Sequence, residues 1–431
     1  MIRPLYNLAA WAAQPLLRRK LRRRGRAEPG YLHAVDERFG RYGVPRPEAD
    51  AAQGRPLVWI HAVSLGETRA AAILLRALRR QCPGLRLLLT HGTATGRAEG
   101  AALLTPGDAQ VWQPWDTRAA VRSFLEHFRP DVGVLMETEV WPNLVLEAAE
   151  HGVPLALANA RLSAKSLRGA ERAGALMRPV YAALAAAWAQ TDGDAARLRA
   201  IGAPVAGVLG NLKFDAQPSE VQLAQGRGWR AAAARPVVML ASSREGEELE
   251  LLKQIQALEA TKSGATAPQW LIVPRHPQRF DEVAALVRAQ GVSISRRSQW
   301  GDAPPPAADV WLGDSLGEMA AYYALADVAL LGGSFAPLGG QNLIEAAACG
   351  CPVLMGPHTF NFSQVADWAE AAGAARRVGD LAAALAAARA LLADAPALAA
   401  MRQAALGFAQ AHQGAAERTA AAVLALRPAG R

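Results

Sequence analysis

Residues 59–67 read WIHAVSLGE, and TRAAAILLRALRR follows at once. The apolar residues up to Val63 suit a buried strand. Beyond Glu67 the apolar positions recur at helical spacing. A strand that turns directly into a helix is the repeating unit of a parallel sheet covered by helices. The turn leaves a carboxylate at the carboxyl end of that strand, where open α/β sheets bind ligands, and Gly66 permits a tight turn and the close approach of a ligand. Two readings of Glu67 are open. It closes a capping box with Ser64, in the S-x-x-E form. Alternatively it is a ligand-facing carboxylate, ionised by the helix dipole, that accepts a proton from an attacking hydroxyl. The dipole should make it a weaker base, so positioning must supply much of the effect.

The same switch of period repeats along the chain. PLVWIHAV (56–63), LRLLLTHG (85–92), VGVLMETE (132–139) and PLALANARLS (154–163) are strand-like and alternate with helical stretches. A long Ala/Leu helix is expected to end near Trp188, and VAGVLGNLKFD (205–215) completes the series. The polar run DAQPSEVQLAQG (215–226) reads as a linker. A second series follows, with strands in PVVMLASSREGEE (236–248), QWLIVPRHPQRF (269–280), GVSISRRS (291–298), ADVWLGDSLGEM (308–319), ADVALLGGSF (326–335) and CPVLMGPHTF (351–360). The pattern predicts an α/β protein of two doubly wound parallel-sheet domains facing a central cleft. The expected divisions are 1–30, a basic and apolar N-terminal segment; 31–215, the first domain; 216–405, the second; and 406–431, a C-terminal helix able to brace the first domain.

The 431 residues are 51% apolar and 20% charged, a globular composition. The three cysteines, Cys82, Cys349 and Cys351, form no disulfide framework or zinc pattern. Eight of the 47 Lys and Arg residues lie within positions 1–26, which contain no acid; against 38 Asp and Glu the rest is close to neutral. That distribution argues against a nucleic-acid-binding surface. The segment MIRPLYNLAAWAAQPLL before the cluster is broken by Pro15 and falls short of the roughly 20 residues that span a bilayer. It fits a helix lying in the membrane interface, with Tyr6, Trp11 and Leu side chains down and arginines on anionic headgroups. An ordinary packed helix and a short spanning anchor are the alternatives.

Polar residues gather at strand ends. METEVWPNL (136–144) places Glu137 and Glu139 where a strand should stop, and acids there are costly unless they line a polar cleft. NARLSAKS (159–166) offers Arg161, able to fork onto a carboxylate or phosphate. GNLKFD (210–215) presents Lys213 at the hinge. For each stretch a plain surface loop is an equal reading. In the second half, Arg275 and His276 sit between two prolines in VPRHPQRF, and GDSLGEM (313–319) offers backbone donors at a helix start. In GGSFAPLGGQNLIEAAACGCPVLMG (332–356), two glycine pairs precede a helix expected to start near Gln341, with Glu345 in its first turn. Such loops admit phosphate oxygens to backbone donors, while an acid nearby holds ribose hydroxyls. There is no G-K-[ST], no G-x-G-x-x-G after the first strand and no metal-binding spacing.

Eight strings in order, HAVSLGE, METEVWPN, NARLS, GNLKFD, VPRHPQRF, GDSLGEM, GGSF and LMGPHTFNF, closely resemble the Kdo (3-deoxy-D-manno-octulosonic acid) transferases. The resemblance implies a GT-B fold of two Rossmann-like domains. It implies CMP-Kdo as donor and lipid IVA, a lipid A precursor, as acceptor at the cytoplasmic face of the inner membrane, with no cofactor and no metal. Glu67 is then the general base of an inverting transfer, and Glu137 and Lys213 match positions that stabilise the transition state. The cytidylyl site comprises Pro274 and Arg275, then Gly317, Glu318 and Met319, then Asn342, Leu343, Ile344 and Glu345, with Arg275 on the phosphate and Glu345 on the ribose. A partner role for Arg161 on the Kdo carboxylate is a further expectation. The chain departs from the family pattern at Gln341 and Leu343, where His and Pro are usual, and at Arg244, where His is expected. The alternative is another GT-B sugar-nucleotide enzyme with a uridine donor.

Overall fold

In the computed structural model, which describes residues 2–48, 50, 53, 55–260 and 267–427, seven apolar runs of the first half pair side by side. They are β1 (Leu57–His61), β2 (Arg86–His91), β3 (Ala109–Trp112), β4 (Val132–Met136), β5 (Leu155–Ala160), β6 (Ala186–Ala189) and β7 (Val205–Val208). Their order is β3-β2-β1-β4-β5-β6-β7, all parallel. Helices cover both faces of such a sheet, which explains why its central strands are unbroken apolar runs. Met1 and residues 428–431, the extreme ends of the N- and C-terminal segments, lie outside the described residues.

The core explains the register. Trp59 of β1 is fully buried; its ring lies 4.9 Å from that of Phe124 on the helix Arg118–Phe128, and its Nε1–H donates to Thr90 Oγ1 at 2.8 Å. Gly133 of β4 pairs with Trp59, and a Cβ there would come within 2.8 Å of the indole. The strand order reverses between β1 and β4, so the turns after these two strands open the crevice where doubly wound sheets take ligands.

The second half repeats the plan. β8 (Val237–Ser243), β9 (Gln269–Pro274), β10 (Ile294–Arg296), β11 (Val310–Leu312), β12 (Val328–Leu331), β13 (Val353–Met355) and β14 (Ala375–Arg377) form a parallel sheet ordered β10-β11-β9-β8-β12-β13-β14. The reversal falls at β8 and β12. Asp327, buried just before β12, accepts from Arg230 Nε at 2.6 Å, from Arg402 Nη2 at 2.5 Å and from the Val237 amide at 2.9 Å. One carboxylate thereby ties two helices to the start of β8. The chain separates into two units, residues 1–215 with 413–431 and residues 216–412.

Three stretches differ from the sequence reading. The Ala/Leu run is two short helices, Ala164–Arg172 and Gly174–Ala182, and Trp188 belongs to β6. A four-residue buried strand of Ala and Trp carries no period that separates it from a helix. The polar linker is mostly a helix, Glu220–Ala232, capped by the Ser219 hydroxyl and buried along Leu223, Gly226 and Trp229. At the N-terminus, Ile2–Ala12 and Gln14–Ala27 are helices. Tyr6 does not join the outward apolar face: its hydroxyl donates to Asp116 at 2.6 Å, and Arg3 pairs with Glu147 at 2.5 Å and with Glu150. At the other end of the chain, the helix Ala415–Ala425 packs on Leu65–Gln81, where Glu417 pairs with Arg80 and accepts from Gln81.

Candidate active site

The helix Leu65–Gln81 begins on Ser64, whose hydroxyl accepts the Glu67 amide at 3.3 Å. The Glu67 carboxylate reaches back, taking the Val63 amide on Oε2 at 2.8 Å and the Ser64 hydroxyl on Oε1 at 3.2 Å. The capping reading of Glu67 is therefore correct in kind, with the amide taken from Val63 in place of Ser64. Capping does not consume the group's chemistry. Glu67 is half-buried, and desolvation outweighs the Val63 hydrogen bond, so its pKa is pushed up from 4.5 to about 7, helped by the charges of Glu137 and Glu139. The helix dipole alone would make Glu67 a weaker base. Burial and two neighbouring acids reverse that sign, and a carboxyl poised near neutrality is suited to general base work.

The turn that holds Glu67 is itself held from below. His91 Nδ1 lies 2.9 Å from the Ala62 carbonyl, its Nε2 lies 3.0 Å from Gln110 Nε2, and the Thr93 amide donates to the Val63 carbonyl at 3.0 Å. Burial lowers the His91 pKa to about 4 and that of His61 to about 3, so both rings are neutral spacers.

Glu137 follows β4 directly in the left-handed region, φ 57°, a conformation costly for a residue with a Cβ. Its Oε1 lies 3.3 Å from Lys213 Nζ, so two residues distant in the sequence form an ion pair. Lys213 sits in the short turn Leu212–Asp215 after β7. Glu139 accepts from the Trp141 indole at 2.8 Å, and burial raises its pKa. Arg161 is exposed after β5, and its amide donates to the Glu137 carbonyl at 3.1 Å. Asn159, within the NARLS string, is buried, has φ 51° and contacts Glu137. An Asn closing a buried strand was the available signal, since Asn tolerates that backbone best after Gly.

In the second unit four adjacent strands, β11-β9-β8-β12, present their carboxyl-terminal turns in a row. Pro274 is buried at the end of β9 and Arg275 is exposed just beyond it. Arg275 Nε donates to Gln341 Oε1 at 3.2 Å, so the residue that departs from the family pattern positions the arginine. The loop 332–340 turns at Gly333, Gly339 and Gly340, all with positive φ, and the Gly333 amide donates to the buried Glu247 carboxylate at 2.8 Å. The helix after it starts at Ile344, three residues later than expected, and ends at Ala348. Asn342 Oδ1 accepts the Ile344 amide at 3.1 Å and delays the start. Leu343 and Ile344 are buried, whereas Glu345 is exposed. After β11, Gly317 (φ 79°) accepts the Gln222 side-chain amide on its carbonyl at 2.7 Å. Glu318 pairs with Arg297 at 2.7 Å and accepts from Ser315; Met319 starts the helix Met319–Leu325. Arg297, which fixes Glu318, carried no signal in the sequence. Among the described residues no group of three or more His, Cys, Asp or Glu side chains is placed to hold a metal ion.

Residues 33–216 match the family described as 3-Deoxy-D-manno-octulosonic-acid transferase (kdotransferase). The chain is 49% identical to the 3-deoxy-D-manno-octulosonic acid transferase of Bordetella pertussis, across 97% of this chain and 98% of that one. It is 33% identical to the enzyme of the same name from Haemophilus influenzae, across 78% of each. Among solved structures, the UDP-GlcNAc 2-epimerase of Neisseria meningitidis bound to UDP-GlcNAc superposes with a TM-score of 0.57, across 86% of this chain and 99% of that one. At 16% identity that likeness concerns the fold alone, a GT-B arrangement of two parallel sheets.

Proposed function

Because the chain belongs to the 3-deoxy-D-manno-octulosonic acid transferase family, and is a glycosyltransferase, we propose that it moves Kdo from CMP-Kdo to lipid IVA with Glu67 as general base. The observation that carries this reading is the Glu67 carboxylate, half-buried at the ligand end of β1 with its pKa near 7. Glu67 takes the proton of an acceptor sugar hydroxyl as that oxygen attacks the anomeric carbon of Kdo. The bond to the CMP phosphate breaks on the opposite face, and the configuration inverts. Glu137 steadies the oxocarbenium-like charge that builds on the sugar. Lys213 offsets the local excess of carboxylates and steadies the departing phosphate. Arg161 is assigned to the Kdo carboxylate.

The second unit holds the cytidylyl group. Arg275, held by Gln341, takes the phosphate; Glu345 takes the ribose; and backbone groups of 317–319 and 342–344 complete the site. A uridine donor is not favoured, since the relatives matched along the chain carry the Kdo transferase name.

The N-terminal helices fit a lipid acceptor. Arg3 and Tyr6 dock the first helix onto the protein, while Leu5, Leu8, Trp11 and Leu16 are each more than 60% exposed. Arg19, Lys20, Arg22, Arg23 and Arg26 are exposed beside Leu16. An apolar face with a basic cluster binds anionic bilayers in the interface plane. No single helix among the described residues is long and apolar enough to cross a membrane. The cytoplasmic face of the inner membrane is the location that the family resemblance implies for such an acceptor, and the exposed apolar and basic face supports membrane attachment.

The test is direct. Purified protein with CMP-Kdo and lipid IVA in mixed micelles should yield lipid heavier by one or more Kdo residues, and CMP should raise the melting temperature where UDP does not. Lipid of unchanged mass together with stabilisation by UDP would contradict the reading.

A further inference from the structure

We infer that Asn159 is a positioning residue that locks Glu137 and Lys213 into one arrangement; the inference rests on the reading above, in which those two groups act on the transferred sugar. Asn159 is 2% exposed and sits one residue before the end of β5, where the pairing with β6 shifts register. Its side-chain amide is spent on both candidates. Oδ1 accepts the Leu212 amide at 3.1 Å, fixing the turn that carries Lys213, and Nδ2 donates to Glu137 Oε1 at 3.4 Å. The same Glu137 oxygen meets Lys213 Nζ at 3.3 Å. The Asn159 carbonyl accepts from Gln190 Nε2 at 2.9 Å, which anchors the residue from the β6 side.

The backbone points the same way. Glu137 directly follows β4 and Asn159 lies one residue before the end of the neighbouring β5, and both are left-handed, φ 57° and 51°. The Glu137 amide donates to the Ala158 carbonyl, and its carbonyl accepts the Arg161 amide, so the ladder resumes on either side of Asn159. Strained backbone persists where its surroundings over-determine it, and clusters at functional sites. Glycine would adopt this φ without steric cost. Asparagine here retains an amide that joins the end of β4 to the turn after β7, past the intervening β6.

Asn159→Gly separates backbone from amide, since it suits the φ and removes both side-chain bonds. The full chain carrying it should melt within a few degrees of the parent and keep a donor KM within about threefold. Its kcat should fall about 10²-fold, the scale of a misplaced catalytic group. Asn159→Asp keeps the acceptor for Leu212 but sets a carboxylate against Glu137. It should move the acid limb of the kcat–pH profile to higher pH, because an added negative charge makes neighbouring carboxyls harder to ionise. Parental kcat in Asn159→Gly, or an unmoved pH profile in Asn159→Asp, would overturn the inference. If Glu137→Gln and Lys213→Met themselves kept parental kcat, the underlying reading of the site would fall instead.

Discussion

The Val63 amide donates to Glu67 Oε2 at 2.8 Å while Glu67 remains a high-pKa carboxyl, pushed up to about 7. The hydrogen bond fixes the side chain's direction and favours the ionised form; burial and the charges of Glu137 and Glu139 oppose ionisation and win. A group so arranged can be both a cap and a base.

The first prediction concerns pH. Transfer should need ionised Glu67, so kcat/KM should climb from pH 6 to 8 along a limb centred near 7. Stability should run the other way. Unfolded, the carboxyl titrates near 4.5; folded, near 7. Between those values the folded state binds the extra proton, so this group's contribution to stability declines as pH rises through the window. Glu67→Gln removes that contribution. Urea denaturation at pH 5 and pH 8 should show the variant gaining on the parent at the higher pH.

The Glu137–Lys213 pair should behave as a unit. Glu137→Gln and Lys213→Met should each lower kcat, and the double variant should lose less than the product of the single losses. Groups in direct contact couple by about 0.5–3 kcal/mol. Multiplicative losses in a double-mutant cycle would show that the pair does not act jointly.

Arg275→Ala should weaken CMP binding about 10- to 100-fold, the worth of a charge-assisted hydrogen bond of about 1.5–3 kcal/mol. Its side chain is exposed, so the melting temperature without ligand should hardly move. Titration calorimetry reads the first quantity and a thermal scan the second.

Asp327→Ala should destabilise the second unit by about 3 kcal/mol, because it strips a buried carboxylate from two arginines and an amide. Both arginines retain some water, which places the loss toward the low end. The midpoint of chemical denaturation measures it.

Most of the scaffold was legible because its strands are unbroken apolar runs ending in Gly, Ser, Pro or charge, a pattern that follows from burial on both faces. It failed where the local signal was degenerate. The strand around Trp188 is too short to show a period, and the helix Glu220–Ala232 buries only three small or spaced positions beneath a polar surface. In the site, the strings supplied Glu67, Glu137, Lys213 and Arg275 as candidates. They did not reveal that Gln341 holds Arg275, that Arg297 holds Glu318, or that Asn159 joins Glu137 to the Lys213 turn. Those are side-chain contacts with partners 21 to 66 residues away, and the side-chain period of one segment carries no information about its partner. The sign of the Glu67 pKa shift is likewise set by how deeply the folded chain buries the group, which the local sequence does not carry.

The central claim is that Glu67 removes the acceptor proton. Its most direct test is the transfer rate of Glu67→Gln beside the parent enzyme, with CMP-Kdo and lipid IVA at saturating concentration and products weighed by mass spectrometry. The variant should bind CMP as the parent does and transfer Kdo about 10²- to 10⁴-fold more slowly, the usual contribution of a general base. Transfer at the parental rate would mean that the proton leaves by another route.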